Sequence, residues 1–262
     1  MTYQSILLEI SGGVATLTLN RPHKKNALDR AAGEEIGHAI EALRSDPSVR
    51  ALILTGAGGD FCAGGDIGSV MGAMSAEAGR KSMQLLHGWL DKLIGLDLPV
   101  IAAVDGIAFG MGFGLALAAD MIIASSRARF CLSFMRIGLV PDSGVFYTLP
   151  RLVGMQRAKE LVYSARELNA AEAREYGIAL EVVASESLMD RARAMAASFA
   201  YASGTALALS KAGLNRSFES SLDSLLEYEA TAQGIAFTTE AHQAAVRRFL
   251  DKQPTLFKWP SK

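Results

Sequence analysis

Two glycine-dense loops, each launched from a buried-type apolar run, restrict this chain more than any other feature. The first run, Val49 to Thr55 (VRALILT), opens into Gly56-Ala57-Gly58-Gly59-Asp60-Phe61-Cys62-Ala63-Gly64-Gly65-Asp66-Ile67. The second, Val100 to Val104, opens into Gly106-Ile107-Ala108-Phe109-Gly110-Met111-Gly112-Phe113-Gly114. Strands that are apolar on both faces belong to sheets covered on both sides, and such sheets bind ligands in the loops beyond their strand ends. Glycine lets a backbone turn left-handed or come close to a ligand. Two such loops facing one pocket supply backbone N–H donors for a carbonyl oxygen acquiring negative charge. The same GxGxG spacing also suits close helix packing. It does not suit a dinucleotide, because GxGxxG fails at Leu115 and Asp120 precedes the next strand instead of following it.

The surrounding pattern agrees with a layered α/β domain. Ile6, Leu8 and Ile10, then Gly12-Gly13, then Val14, Leu17 and Leu19 predict two strands joined by a tight turn. Asp29 predicts the cap of a helix over 29–45, with Ile36, Ile40 and Leu43 on its apolar face. A helix over 76–95 is closed by Gly95 and Pro99, and Met121 to Ala124 predicts another strand. After residue 145 helices dominate: 145–163, 170–176, 186–200, 203–216, 221–237 and 240–251, with Leu180–Val183 as a strand. Pro/Ser-rich linkers are absent, so these helices are expected to pack on the core or on another subunit.

Composition removes several classes of function. With 26 Lys+Arg against 27 Asp+Glu in 262 residues, the chain has no basic footprint for nucleic acid or an anionic membrane. Its two cysteines cannot build a disulfide framework, and neither CxxC nor HExxH suggests a metal. The most apolar tract, Leu98 to Ala124, has only fourteen uncharged residues between Asp105 and Asp120, too few for a spanning helix. The start, MTYQSILLEI, lacks the features of a signal peptide. A cytoplasmic protein is the expectation.

A third feature is Phe134-Met135-Arg136-Ile137-Gly138-Leu139-Val140-Pro141-Asp142-Ser143-Gly144. Asp142 reads as an N-cap for the helix beginning near Val145, or as a catalytic carboxylate. Ser143 is not a nucleophile elbow, since G-x-S-x-G would require glycine at Pro141. The histidines His23, His38, His87 and His242 are scattered.

Taken in order, Asn20-Arg21-Pro22 with Asn26-Ala27-Leu28, FCAGGDI at 61–67, PVIAAVDGIAFGMGFGLALAAD at 99–120 and GLVPDSG at 138–144 give the chain its resemblance to the crotonase (enoyl-CoA hydratase/isomerase) superfamily. The resemblance covers nearly the whole length. It implies an α/β spiral of ββα units over residues 1–200, holding the active site, and C-terminal helices over 201–262 that join subunits into trimers, often stacked as hexamers. It implies an acyl-CoA thioester as ligand, with no cofactor beyond the coenzyme A moiety. The oxyanion N–H groups fall on Gly65 and Met111.

The acids separate branches of the family. Hydratases resembling this chain carry one glutamate in the glycine helix and one before the G-x-x-P loop; those positions here are Gly114 and Phe134. Hydration needs a base for water and an acid for the α-carbon. Asp142 instead matches the aspartate of isomerases, most closely the ring-epoxide isomerase 2-(1,2-epoxy-1,2-dihydrophenyl)acetyl-CoA isomerase, through Phe130-Cys131, Phe134, Gly138-Leu139, Pro141-Asp142 and Gly144. One aspartate would then carry the α-proton to the γ-carbon, with Phe109, Phe113 and Phe134 excluding water and raising its pKa. The resemblance also puts Lys25 near the CoA phosphates, Ala63 and Ile67 beside the adenine, and Lys252 in a tail reaching the adenosine end. The acyl pocket falls around residues 68–90. Alternatives are an enoyl-CoA hydratase with an unconventional acid, nucleophilic use of Asp142, and a non-catalytic acyl-CoA- or RNA-binding member.

Overall fold

A computed structural model describes residues 3–70 and 75–261. The chain opens with the hairpin β1 (Ile6–Ser11) and β2 (Val14–Leu19), turned at Gly12 and Gly13, and continues into α1 (Arg30–Arg44). Asp29 Oδ1 accepts the N–H of Ala32 at 2.9 Å, the cap its position predicts. β3 (Ala51–Gly56) leads through the first glycine loop to α2 (Ile67–Val70) and α3 (Ala76–Ile94). β4 (Val100–Val104), β5 (Ile107–Phe109) and α4 (Met111–Leu117) repeat the sequence of elements, followed by β6 (Met121–Ser125) and β7 (Arg129–Cys131).

These repeats wind into a spiral. The first strand of each unit joins a six-stranded sheet in the order β1-β2-β3-β4-β6-β9, where β9 is Glu181–Val183. The strands that follow β4 and β6 join a smaller stack instead: β5, β7 and β8 (Glu167–Asn169) form a three-stranded sheet. Single bridges extend that stack, Cys62 pairing with Ala108 and Leu28 with Gly65. Both glycine loops therefore enter the small stack side by side.

Burial explains the continuous apolar strands. In β3, Leu52 and Leu54 face one core while Ala51 and Ile53 face another; in β4, Val100, Ala102 and Val104 oppose Ile101 and Ala103 in the same alternation. The second core is completed by α8 (Leu188–Ser198), through Leu188, Ala192, Met195 and Ala196. With helices on both faces, no position of these strands can be polar without a partner.

Several sequence expectations shift. The helix expected over 145–163 is two, α5 (Val145–Val153) and α6 (Met155–Ser164), because Gly154 adopts φ +77° between them. The short strands β5, β7 and β8 escaped the apolar pattern. α7 (Ala170–Glu175), α9 (Gly204–Arg216), α10 (Leu222–Phe237) and α11 (Glu240–Leu250) lie where the periodicity puts them. The last three carry no buried residue, and Leu214, Leu222 and Phe249 are each at least 70% exposed. None of the helices among the described residues is long and apolar enough to cross a membrane.

Candidate active site

The site is organised by the first turn of α4. Gly110 precedes it at φ 50°, ψ −121°, a backbone conformation that side chains rarely adopt, and its own N–H donates to Cys131 O at 2.8 Å. Gly112 lies against Cys62 so closely that a Cβ there would stand 2.4 Å from the Cys62 carbonyl oxygen. A Cβ on Gly64 would stand 2.9 Å from Phe109 O and 3.6 Å from Met111 N. The glycines of the two loops thus remove the side chains that would hold the loops apart.

This approach fixes the direction of two N–H groups. At the Leu28–Gly65 bridge the hydrogen bonds run from Leu28 N–H to Gly64 O (2.8 Å) and from Asp66 N–H to Leu28 O (2.7 Å), so the N–H of Gly65 is not used by the ladder. Met111 is the first residue of α4, where an N–H has no intrahelical acceptor. Among the described residues neither N–H has an intramolecular acceptor. The Met111 side chain reaches across to Gly65, its Cε 3.8 Å from where a Cβ would be.

The loop that carries Asp142 reaches α4 one turn further along. A Cβ on Gly114 would lie 2.5 Å from Ser143 Cβ and 3.3 Å from Val145 Cγ2, so the loop carrying Asp142 is seated on that glycine. Asp142 does not cap α5. The cap position is Gly144, in left-handed backbone and without a side-chain bond, while Asp142 Oδ1 accepts the Ser143 hydroxyl at 2.8 Å. The carboxyl group is half-buried, and burial pushes its pKa above the ordinary carboxylate value, with the Ser143 hydroxyl and the charge of His87 pulling the other way. His87 sits on α3 and is exposed, yet it acts electrostatically on Asp142. Leu90 and Ile94 of the same helix pack toward Gly144.

Phe134 is 6% exposed and its ring lies 3.9 Å from the Cβ position of Gly110, so it closes the same turn of α4. Phe113 is 1% exposed and packs in the core with its ring tilted against that of Phe130 at 5.1 Å, so it is a core ring and not the exposed pocket wall the sequence suggests. Phe109 is partly exposed, with the Arg129 guanidinium 5.8 Å from its ring centre.

Lys25 and Ala63 are brought together, the N–H of Ala63 donating to Lys25 O at 2.9 Å. Lys25 is exposed and left-handed (φ 49°), and Ile67 is 51% exposed at the start of α2. Beside them Asp66 accepts Arg21 Nη2 at 3.0 Å and Lys24 Nζ at 2.7 Å, which ties the loop to the Asn20-Arg21-Pro22 turn. That clamp has no local signal in the sequence. Lys252 follows α11, exposed and with φ 55°, and no contact joins it to these residues within the described chain. Of the acyl-pocket segment expected around 68–90, residues 71–74 lie outside the described residues. A cavity of about 410 Å³ opens behind α5, between α9 and the end of α4, and is lined by none of Asp142, Gly65 or Met111. No group of His, Cys, Asp and Glu among the described residues could hold a metal ion.

A spiral of ββα units, with two amides that lack an acceptor among the described residues and a carboxylate-bearing loop seated on the same glycine-lined helix, defines a crotonase-type α/β protein. Residues 9–260 match the family model described as enoyl-CoA hydratase/isomerase. The chain belongs to that family. It is 38% identical over 254 residues to the short-chain-enoyl-CoA hydratase of Clostridium acetobutylicum, which covers 97% of both chains. It is 34% identical to the 1,2-epoxyphenylacetyl-CoA isomerase of Escherichia coli, over 96% of this chain and 97% of that one. An enoyl-CoA hydratase/isomerase structure from Cupriavidus metallidurans superposes with a TM-score of 0.95 at 40% identity, covering 100% of this chain and 99% of the other.

Proposed function

We propose that the chain is an acyl-CoA isomerase that works through a thioester enolate with Asp142 as its one acid/base, moving a double bond or opening a ring epoxide. One observation carries this reading: the loop that holds the half-buried Asp142 is seated on α4, the helix that Met111 begins, while the two positions that match the hydratase glutamates hold Gly114 and Phe134. The space a side chain at 114 would need is filled by Ser143. Asp142 removes a proton α to the thioester, and the N–H groups of Gly65 and Met111 hold the enolate oxygen. The protonated acid then delivers that proton at the γ-carbon. Burial disfavours the charged carboxylate and so strengthens it as a base.

Lys25 would meet the CoA phosphates, and Ala63 and Ile67 would flank the adenine. Lys252 would contribute from the tail of a neighbouring subunit. The exposed apolar side chains of α9–α11 support assembly of region 201–262 into a homotrimer or hexamer. No further cofactor is required, and the balanced charge supports a cytoplasmic enzyme without nucleic-acid or membrane partners. A second reading, hydration of 2-enoyl-CoA, is favoured by the hydratase named for the Clostridium relative.

Incubating the protein and Asp142→Asn in deuterated water with a 3-enoyl-CoA tests the first reading. α-Proton exchange and isomerisation should fall at least about a hundredfold in the variant, with CoA binding kept. Full activity in Asp142→Asn would remove it. Rapid formation of 3-hydroxyacyl-CoA from 2-enoyl-CoA would favour the hydratase instead.

A further inference from the structure

Asp142 is followed by a residue in an unusual state. Ser143 is 1% exposed, has φ +53° without being glycine, and lies directly beneath α4 against Gly114. A left-handed backbone is disfavoured for a residue with a Cβ, so the surrounding structure must hold it there. It is held between Gly114, whose missing side chain leaves it room, and Gly144, which is also left-handed and faces Leu90 on α3. In that position its hydroxyl donates to Asp142 Oδ1 at 2.8 Å. Asp142 Oδ2 has no hydrogen-bond partner among the described residues.

We propose that Ser143 is a positioning residue that fixes the Asp142 carboxylate, occupying Oδ1 so that Oδ2 alone meets the substrate proton. The assignment rests on Asp142 being the acid/base. Serine fits this place for three separate reasons: its Cβ fills the room left by Gly114, its single hydroxyl reaches the neighbouring carboxylate, and its small size permits the left-handed turn. The hydroxyl stabilises the ionised carboxylate and so opposes the effect of burial. His87 on α3 is the one titratable group among the described residues with an electrostatic effect on Asp142; α4 carries no charged side chain, and Arg151 on α5 is engaged with Glu219 at 2.7 Å.

The test uses Ser143→Gly and Ser143→Ala beside Asp142→Asn in the intact protein. Glycine removes the hydroxyl and suits φ +53°, whereas alanine removes it and keeps the strain, so agreement between the two isolates the hydroxyl. With a 3-enoyl-CoA, both should lower kcat about tenfold, the scale of one hydrogen bond to a charged group, with KM within a factor of two. In both, the acid limb of the kcat profile should move to higher pH. A kcat and pH profile for Ser143→Gly equal to the parent's, or a loss of kcat without the pH shift, overturns the assignment. If Asp142→Asn is itself fully active, the acid/base reading fails first, and that outcome is distinguishable because it does not depend on residue 143.

Discussion

The proposed oxyanion donors, the N–H groups of Gly65 and Met111, are backbone groups, so no side-chain deletion can remove them, but Gly112 offers a way to displace one. A Cβ at 112 would stand 2.4 Å from Cys62 O and 2.6 Å from Cys62 Cβ, about 1 Å short of ordinary van der Waals contact. Both atoms belong to a segment fixed by the Cys62–Ala108 bridge, with Cys62 N–H on Ile107 O and Phe109 N–H on Cys62 O, each at 2.9 Å. The strain in Gly112→Ala must therefore be relieved by moving the head of α4, and Met111 N–H moves with it. Two effects compete for stability. Glycine to alanine in a helix gains about 0.5–1 kcal/mol, whereas overpacking a closed contact costs about 1–3 kcal/mol. Overpacking wins, and Tm should fall by a few degrees. Displacing one oxyanion donor by about 1 Å should reduce kcat about 100-fold or more. Gly88→Ala in α3 is the control, since nothing lies within 4 Å of its Cβ position and only the helix gain remains. The assay pairs thermal melting with turnover of an acyl-CoA thioester under saturating conditions. Parental turnover in Gly112→Ala, with Tm raised as in Gly88→Ala, would refute the argument that these glycines set the donor geometry.

Other outcomes follow from the same structure. Burial raises the Asp142 pKa in the folded state, so the folded chain binds this proton more readily than the unfolded one; stability from this group falls as pH rises through that window. Asp142→Asn should accordingly melt higher than the parent at pH 7, with the difference shrinking in acid, as calorimetry at several pH values would reveal. As a base the same group must be ionised, so activity should fail, as pH drops, above the usual carboxylate range. Lys211 donates to Asp120 Oδ2 at 2.8 Å and to Leu98 O at 3.0 Å with its side chain largely buried. Lys211→Met should cost about 3 kcal/mol by leaving the Asp120 carboxylate with the Val100 N–H but without its ion-pair partner, and Lys211→Met with Asp120→Asn should recover part of it in chemical denaturation. Burial pushes the Cys62 thiol up to about 12, and Cys131 is also buried and raised. A thiol reagent at pH 8 should find neither until the protein is denatured; fast labelling of Cys62 would contradict the closed bridge at Ala108.

How far the sequence reaches depends on whether a feature is periodic or paired. β3 and β4 are readable because both faces are covered, which leaves an unbroken apolar run. α1 is readable from one side chain, Asp29, whose bond to Ala32 is local. β5, β7 and β8 hold three residues each and are defined by partners elsewhere, such as Ala108 against Phe130, so no local pattern marks them. The break after Val153 is written in Gly154, but its left-handed backbone becomes evident only once α6 changes direction. At the site, Gly65, Met111 and Asp142 come from ordered motifs and their family resemblance. Ser143 is different: as a nucleophile it has the wrong neighbours, and its importance lies in a contact with Gly114 that spacing alone does not reveal. The Arg21–Asp66 clamp, 45 residues apart, is invisible for the same reason.

The attachment of α9 has a consequence in time. Its anchors reach far back along the chain: Asn215 Nδ2 to Ile94 O over 121 residues, Lys211 to Asp120 over 91, and Tyr147 to Asn215 over 68. Ile94 and Tyr147 are also the residues behind the Asp142 loop. During synthesis at about 5–20 residues per second, the wall containing Ile94 is made roughly 6–24 s before the helix that covers it. A nascent chain can thus wind the whole spiral, place both amides and seat Asp142, yet still show the ribosome's surroundings an uncovered apolar face. Covering of the face behind the Asp142 loop waits on α9, so premature termination anywhere before Asn215 should yield a chain that sticks before it works.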